Sequence, residues 1–100
     1  MKFKFPLRNQ KPEDLIRRCG YALWKGKSGP SYVRRLGSTH YPRFHIYLTA
    51  GNDFFEVDMH IDQKQPSYGG TSAHSGEYDG RVVEDEARRV TAQIAEIYGM

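Results

Sequence analysis

The stretch around Gly51-Asn52 constrains the fold more than any other part of this chain. Before it, Phe44, Ile46 and Leu48 alternate with Arg43, His45, Tyr47 and Thr49; after it, Phe55, Val57, Met59 and Ile61 alternate with Glu56, Asp58, His60 and Asp62. Successive side chains of a strand point to opposite faces, so each half reads as a strand with one apolar side. Gly-Asn suits a two-residue reversal with glycine first. That turn predicts Leu48 opposite Phe55, Ile46 opposite Val57 and Phe44 opposite Met59. It also predicts His45 across from Asp58 and Arg43 across from His60, with His45 and His60 as diagonal neighbours on the polar side. A slip of one residue would turn the apolar set outward.

An amphipathic hairpin needs a partner for its apolar face. Val83, Ala87, Val90, Ile94 and Ile97 step by four or three residues, the stripe of a long helix, with Glu84, Asp85 and Glu86 near its start and Gly99 ending it. A short helix is predicted after Pro12, with Glu13 and Asp14 at its positive end, Arg17 and Arg18 at the other, and Gly20 closing it. Leu15, Ile16 and Cys19 form its apolar stripe. Phe3, Phe5 and Leu7 alternate with lysines, and Pro6 marks that strand as an edge. Tyr21 to Trp24 and Ser31 to Leu36 read as further short strands, separated by the turn-forming stretch Lys25 to Pro30. The expected class is α+β: an antiparallel sheet of three to four strands, an N-terminal short helix and a C-terminal long helix packed on one face, in α-β-β-β-α order. Residues 1–100 form one domain.

Hydrophobic residues make up 38% of the chain, too many for a disordered tail. Cys19 is the only cysteine, so no internal disulfide forms, which suits a reducing compartment. No apolar run approaches the roughly 18 residues of a membrane span, and no apolar stretch follows the basic start. A cytoplasmic location with no membrane partner is the expectation.

Charge is divided unevenly. Residues 1–45 hold eleven Lys/Arg against two acids, a formal +9; residues 46–100 hold four against ten, a formal −6. Such a split suits a surface that meets a polyanion, or two halves that pack together and compensate. The first reading makes the chain a nucleic-acid-binding module, for RNA, with Arg17, Arg18, Lys25, Lys27, Arg34, Arg35 and Arg43 on phosphates. Trp24, Tyr32 or Tyr47 would stack on bases.

The polar side of the hairpin suggests a second class of function. His45, His60 and Asp62 share it, and the stretch from Gln63 to Asp79 is longer than the roughly 12–15 residues at which structureless loops become uncommon. Folded over the sheet, that stretch would add His74, Glu77 or Asp79. His45, His60 and His74 with Asp62 would suit a divalent metal such as zinc. The same three histidines are candidate catalytic groups, one imidazole taking a proton and another giving one, as metal-free RNA cleavage through the 2′-hydroxyl requires. The plainer alternative is a polar face on which His45 bonds Asp58. His40, in a Gly-Ser-Thr-His turn, is expected in solvent. A third class is a protein-interaction domain that uses the acidic helix or the long loop, with dimerisation through an exposed strand such as Lys2 to Leu7. Gly26-Lys27-Ser28-Gly29 lacks the spacing of a phosphate-binding loop, and Ser31, Ser67 and Ser75 have no nucleophile context.

Pro12 to Gly29 runs as a helix ending at Gly-aromatic, a strand, then a Lys/Gly/Ser turn. Together with the element order, this resembles the double-stranded-RNA-binding architecture, in particular small toxins of the HicA type, which are messenger-RNA ribonucleases. The resemblance implies an RNA-facing α+β fold. Where that family carries its catalytic histidine after the turn, this chain has Gly29-Pro30-Ser31. Tyr41 to His45 and Ala73 to Gly80 resemble segments of short bacterial proteins with no assigned function.

Overall fold

A computed structural model describes residues 1–27, 29–63 and 80–100. The elements run β1 (Lys2–Pro6), α1 (Pro12–Arg18), β2 (Ala22–Gly26), β3 (Gly29–Arg35), β4 (Arg43–Ala50), β5 (Phe54–Asp62) and α2 (Gly80–Tyr98). The strands form one antiparallel sheet in the order β1-β5-β4-β3-β2. The α+β class stands, but the expected three to four strands become five, and the α-β-β-β-α order becomes β-α-β-β-β-β-α. All five segments that alternate or run apolar in the sequence join the one sheet, including both edges. β1 leaves the N-terminus to pair with β5, and β2 is a short outer strand whose residues are almost all exposed.

The hairpin reversal lies one residue later than Gly51-Asn52. Ala50 pairs with Phe55, and the Gly51 N–H donates to the Phe54 carbonyl at 2.7 Å, leaving Asn52-Asp53 at the tip. A turn with glycine first needs a positive φ at that glycine, and Gly51 does not adopt one. Every expected pair is therefore displaced by two residues: Leu48 meets Val57, Ile46 meets Met59 and Phe44 meets Ile61. An even displacement preserves the alternation, so the apolar side chains keep their common face while their partners change.

That face is the core. Phe5, Phe44, Ile46, Phe55, Val57 and Met59 from the sheet close against Leu15 and Ile16 of α1 and Val90 and Ile94 of α2. α1 is only seven residues long and has no side-chain N-cap. Isolated helices of that length do not persist in water. Leu15 and Ile16, both 0% exposed, hold it to the sheet, each burial stabilising by about 1.5–3 kcal/mol. Gly20, at φ +100°, turns the chain out of α1 towards β2.

Candidate functional site

Both helices lie on the apolar side, and among the described residues no element layers the other. The strand register sets out this open face in rows. Ala22, Val33, His45 and His60 lie side by side across β2, β3, β4 and β5; Arg35, Arg43 and Asp62 form the next row.

His45 and His60 are therefore directly opposite each other, not diagonal, with ring centroids 5.9 Å apart. The expected pairings of His45 with Asp58 and Arg43 with His60 give way to His45 with His60 and Arg43 with Asp62. His45 is 4% exposed, and both its ring nitrogens are engaged. Nδ1 lies 2.7 Å from Asp62 Oδ2, and Nε2 lies 2.7 Å from Ser31 Oγ. Burial pushes the Asp62 carboxyl up, but hydrogen bonds from His45 and Arg43 outweigh it and hold the group below the usual aspartate range. As an ionised carboxylate Asp62 only accepts, so Nδ1 carries a proton. Ser31 Oγ lies between His45 Nε2 and the Trp24 carbonyl, to which it donates at 3.3 Å.

Ser31, His45 and Asp62 thus stand in the sequence of contacts of a serine-type proton relay. A nucleophile must also be reached by its substrate and face donors for the developing oxyanion. Ser31 is 1% exposed and sits within a strand paired on both sides, so the trio acts as a buried clamp joining β3, β4 and β5. Sequence reasoning missed Ser31 because only the packing of β3 on β4 brings it to His45.

The metal reading called for His45, His60, His74 and Asp62. His74 lies outside the described residues, as do Glu77 and Asp79. Among the described residues no group of three His, Cys, Asp or Glu is arranged to hold a metal ion. His60 is exposed and close to Tyr47, with Nδ1 4.0 Å from Asp58 Oδ1. It is the accessible imidazole of the pair.

The basic residues divide into two sets. Arg34 reaches Glu86 at 3.6 Å, and Arg43 bonds Asp62 at 3.0 Å. Arg17, Arg18, Lys25, Lys27 and Arg35 pair with no carboxylate among the described residues, and all five are exposed. Arg17 and Arg18 end α1; Lys25 and Lys27 lie at the far end of β2.

Among the proposed stacking residues, Tyr32 is corrected: it faces the core at 9% exposure, because it pairs with Ile46 on the apolar side. Tyr47 is half-buried and stacked on His45 at 4.7 Å. Trp24 is 40% exposed. Its ring holds the Arg43 guanidinium at 4.7 Å, and Tyr41 approaches the same guanidinium at 4.5 Å. Trp24 also lies over Gly26, where a Cβ would come within 2.5 Å of the indole.

No helix among the described residues is long and apolar enough to cross a membrane. Comparison with protein-family models, with curated proteins and with solved structures finds no match, so the residues of this face are the ground for any function assigned to the chain.

Proposed function

We propose that the chain binds single-stranded RNA along β2 and the adjoining part of the open sheet face. One observation carries this reading: Trp24 is exposed on the open face, its ring held against Arg43, in a first half whose Arg17, Arg18, Lys25, Lys27 and Arg35 are exposed and meet no described carboxylate. Uncompensated cations release counterions from a phosphate backbone, and an aromatic ring fixed in advance accepts a base with little loss of side-chain freedom. The basic first half is the source of this charge, and the resemblance to HicA-type toxins favours RNA over DNA.

Titration with a labelled RNA oligonucleotide is the test, with quenching of Trp24, the only tryptophan, as a second signal. If all five cations meet phosphates, log affinity should fall with log salt at a slope of about −3.5. Trp24→Ala should weaken binding by about 1–3 kcal/mol, the range for one stacked base. Absence of binding at low salt, or a flat salt response, removes the proposal.

A second reading, ribonucleolytic or metal chemistry, is favoured by the direct pairing of His45 with His60. His45 is locked between Asp62 and Ser31, so His60 would be the proton-transferring or metal-ligating group open to substrate. Incubation of untagged protein with RNA would then give fragments ending in 2′,3′-cyclic phosphate, lost in His60→Ala. Elemental analysis and a chelator separate metal-dependent from metal-free cleavage. Intact RNA and no bound metal would dispose of this reading.

A further inference from the structure

We infer that a groove beside Trp24 is a subsite for one nucleotide, its phosphate held at Arg35 and His40 and its base lying on Ala22 and Val33 against the indole. This rests on the RNA reading and names the chemistry of one part of that surface.

The groove has a volume of about 460 Å³, and its lining includes Arg34, Arg35, Arg43, His40, Trp24 and Val33. Sites of this size take one small molecule. Among the described residues no carboxylate lines it. The arginines are not equivalent. Arg34 and Arg43 each answer a carboxylate, Glu86 and Asp62, whereas among the described residues Arg35 is held by His40 Nδ1, at 3.2 Å. Arginine has no acceptor, so Nδ1 accepts from Arg35 and the proton of a neutral His40 sits on Nε2. Arg35 is thereby steadied without being neutralised, and its remaining N–H groups are free for a phosphate oxygen. Ala22 and Val33 are direct cross-strand neighbours and supply an apolar floor. Bare phosphate has no use for such a floor, and an uncharged nucleoside has none for the cations. A nucleotide uses both.

The test is a two-dimensional amide NMR titration of the full chain with adenosine 5′-monophosphate, with adenosine, and with inorganic phosphate. Adenosine 5′-monophosphate should shift the Trp24 indole signal and the amides of Ala22, Val33, Arg35 and His40. Adenosine and phosphate should each bind about tenfold more weakly, and Arg35→Gln should weaken the nucleotide about tenfold, the loss of one charge-assisted contact. Arg35 is exposed, so an unchanged variant spectrum elsewhere confirms that the fold is intact. Shifts outside the groove, equal binding of phosphate alone, or indifference to Arg35→Gln would overturn the subsite. An RNA oligonucleotide then separates the two ideas. RNA binding that ignores Arg35→Gln sinks the subsite and leaves the RNA reading, whereas nucleotide binding without RNA binding sinks the RNA reading and makes a free mononucleotide the ligand.

Discussion

Glu86 shows how one buried charge can hold several parts of a small domain together. It faces the core side of α2 at 6% exposure, where the periodicity of the helix alone would place an apolar residue. The Tyr21 hydroxyl donates to it at 2.7 Å, and Arg89 bonds both carboxylate oxygens at 2.9 Å. Arg89 also donates to the Cys19 carbonyl at the end of α1, at 2.6 Å. Burial raises the Glu86 carboxyl, but the bonds from Arg89 and Tyr21 prevail and keep it below the usual glutamate range. Burial and the bond to Glu86 push the Tyr21 hydroxyl upward in turn. Removing one member of such a network strands the others. Glu86→Ala should destabilise by about 3 kcal/mol, and Tyr21→Phe by about 1–2 kcal/mol, both read from urea unfolding. A Glu86→Ala midpoint equal to that of the wild type would show that the network carries no stability. Neither Glu86 nor Ser31 was legible in the sequence as a structural polar group. Each became one only through partners from distant segments.

At the scale of elements, β2 couples structure to the proposed binding. Trp24 rests over Gly26, two residues along the same strand face, while Arg43 of β4 stacks on its ring. Any side chain at position 26 must displace the indole. Gly26→Ala should therefore shift the tryptophan emission and near-ultraviolet circular dichroism, and it should lower RNA affinity by an amount similar to Trp24→Ala. Unaltered spectra would mean that the ring does not depend on that contact. The two edges also differ. β1 carries Lys2, Lys4 and Pro6, which discourage strand addition, whereas β2 exposes Leu23 and Trp24. An exposed strand for self-association was expected in the first residues; the edge less protected against it is β2.

Over the whole molecule, the charge asymmetry is compensated in part. Arg34 with Glu86 and Arg43 with Asp62 join the basic first half to the acidic second half, while Arg17, Arg18, Lys25, Lys27 and Arg35 meet no carboxylate among the described residues. The two carboxylates set the response to acid. Their pKa values are depressed in the folded chain, so their stabilisation is complete above the unfolded values of about 4 and is lost as pH falls below them towards the folded values. Thermal melts between pH 5 and pH 2 should show a falling Tm, and Asp62→Asn combined with Glu86→Gln should flatten that limb. A wild-type acid limb no steeper than that of the double variant would place the acid sensitivity elsewhere.

By itself the sequence determined what repeats at short range. Alternation in β4 and β5 and the three-four stepping of α2 assigned faces without any knowledge of partners, because side-chain direction follows backbone period. The common apolar face even survived an error in the turn, since the true register differs by two residues. Tertiary structure alone decided who meets whom across strands. A register depends on the φ of one glycine and on how β3 lies against β4. These features placed His60, Asp62 and Ser31 around His45, turned Tyr32 inward, and left Trp24 beside a groove that no described carboxylate lines.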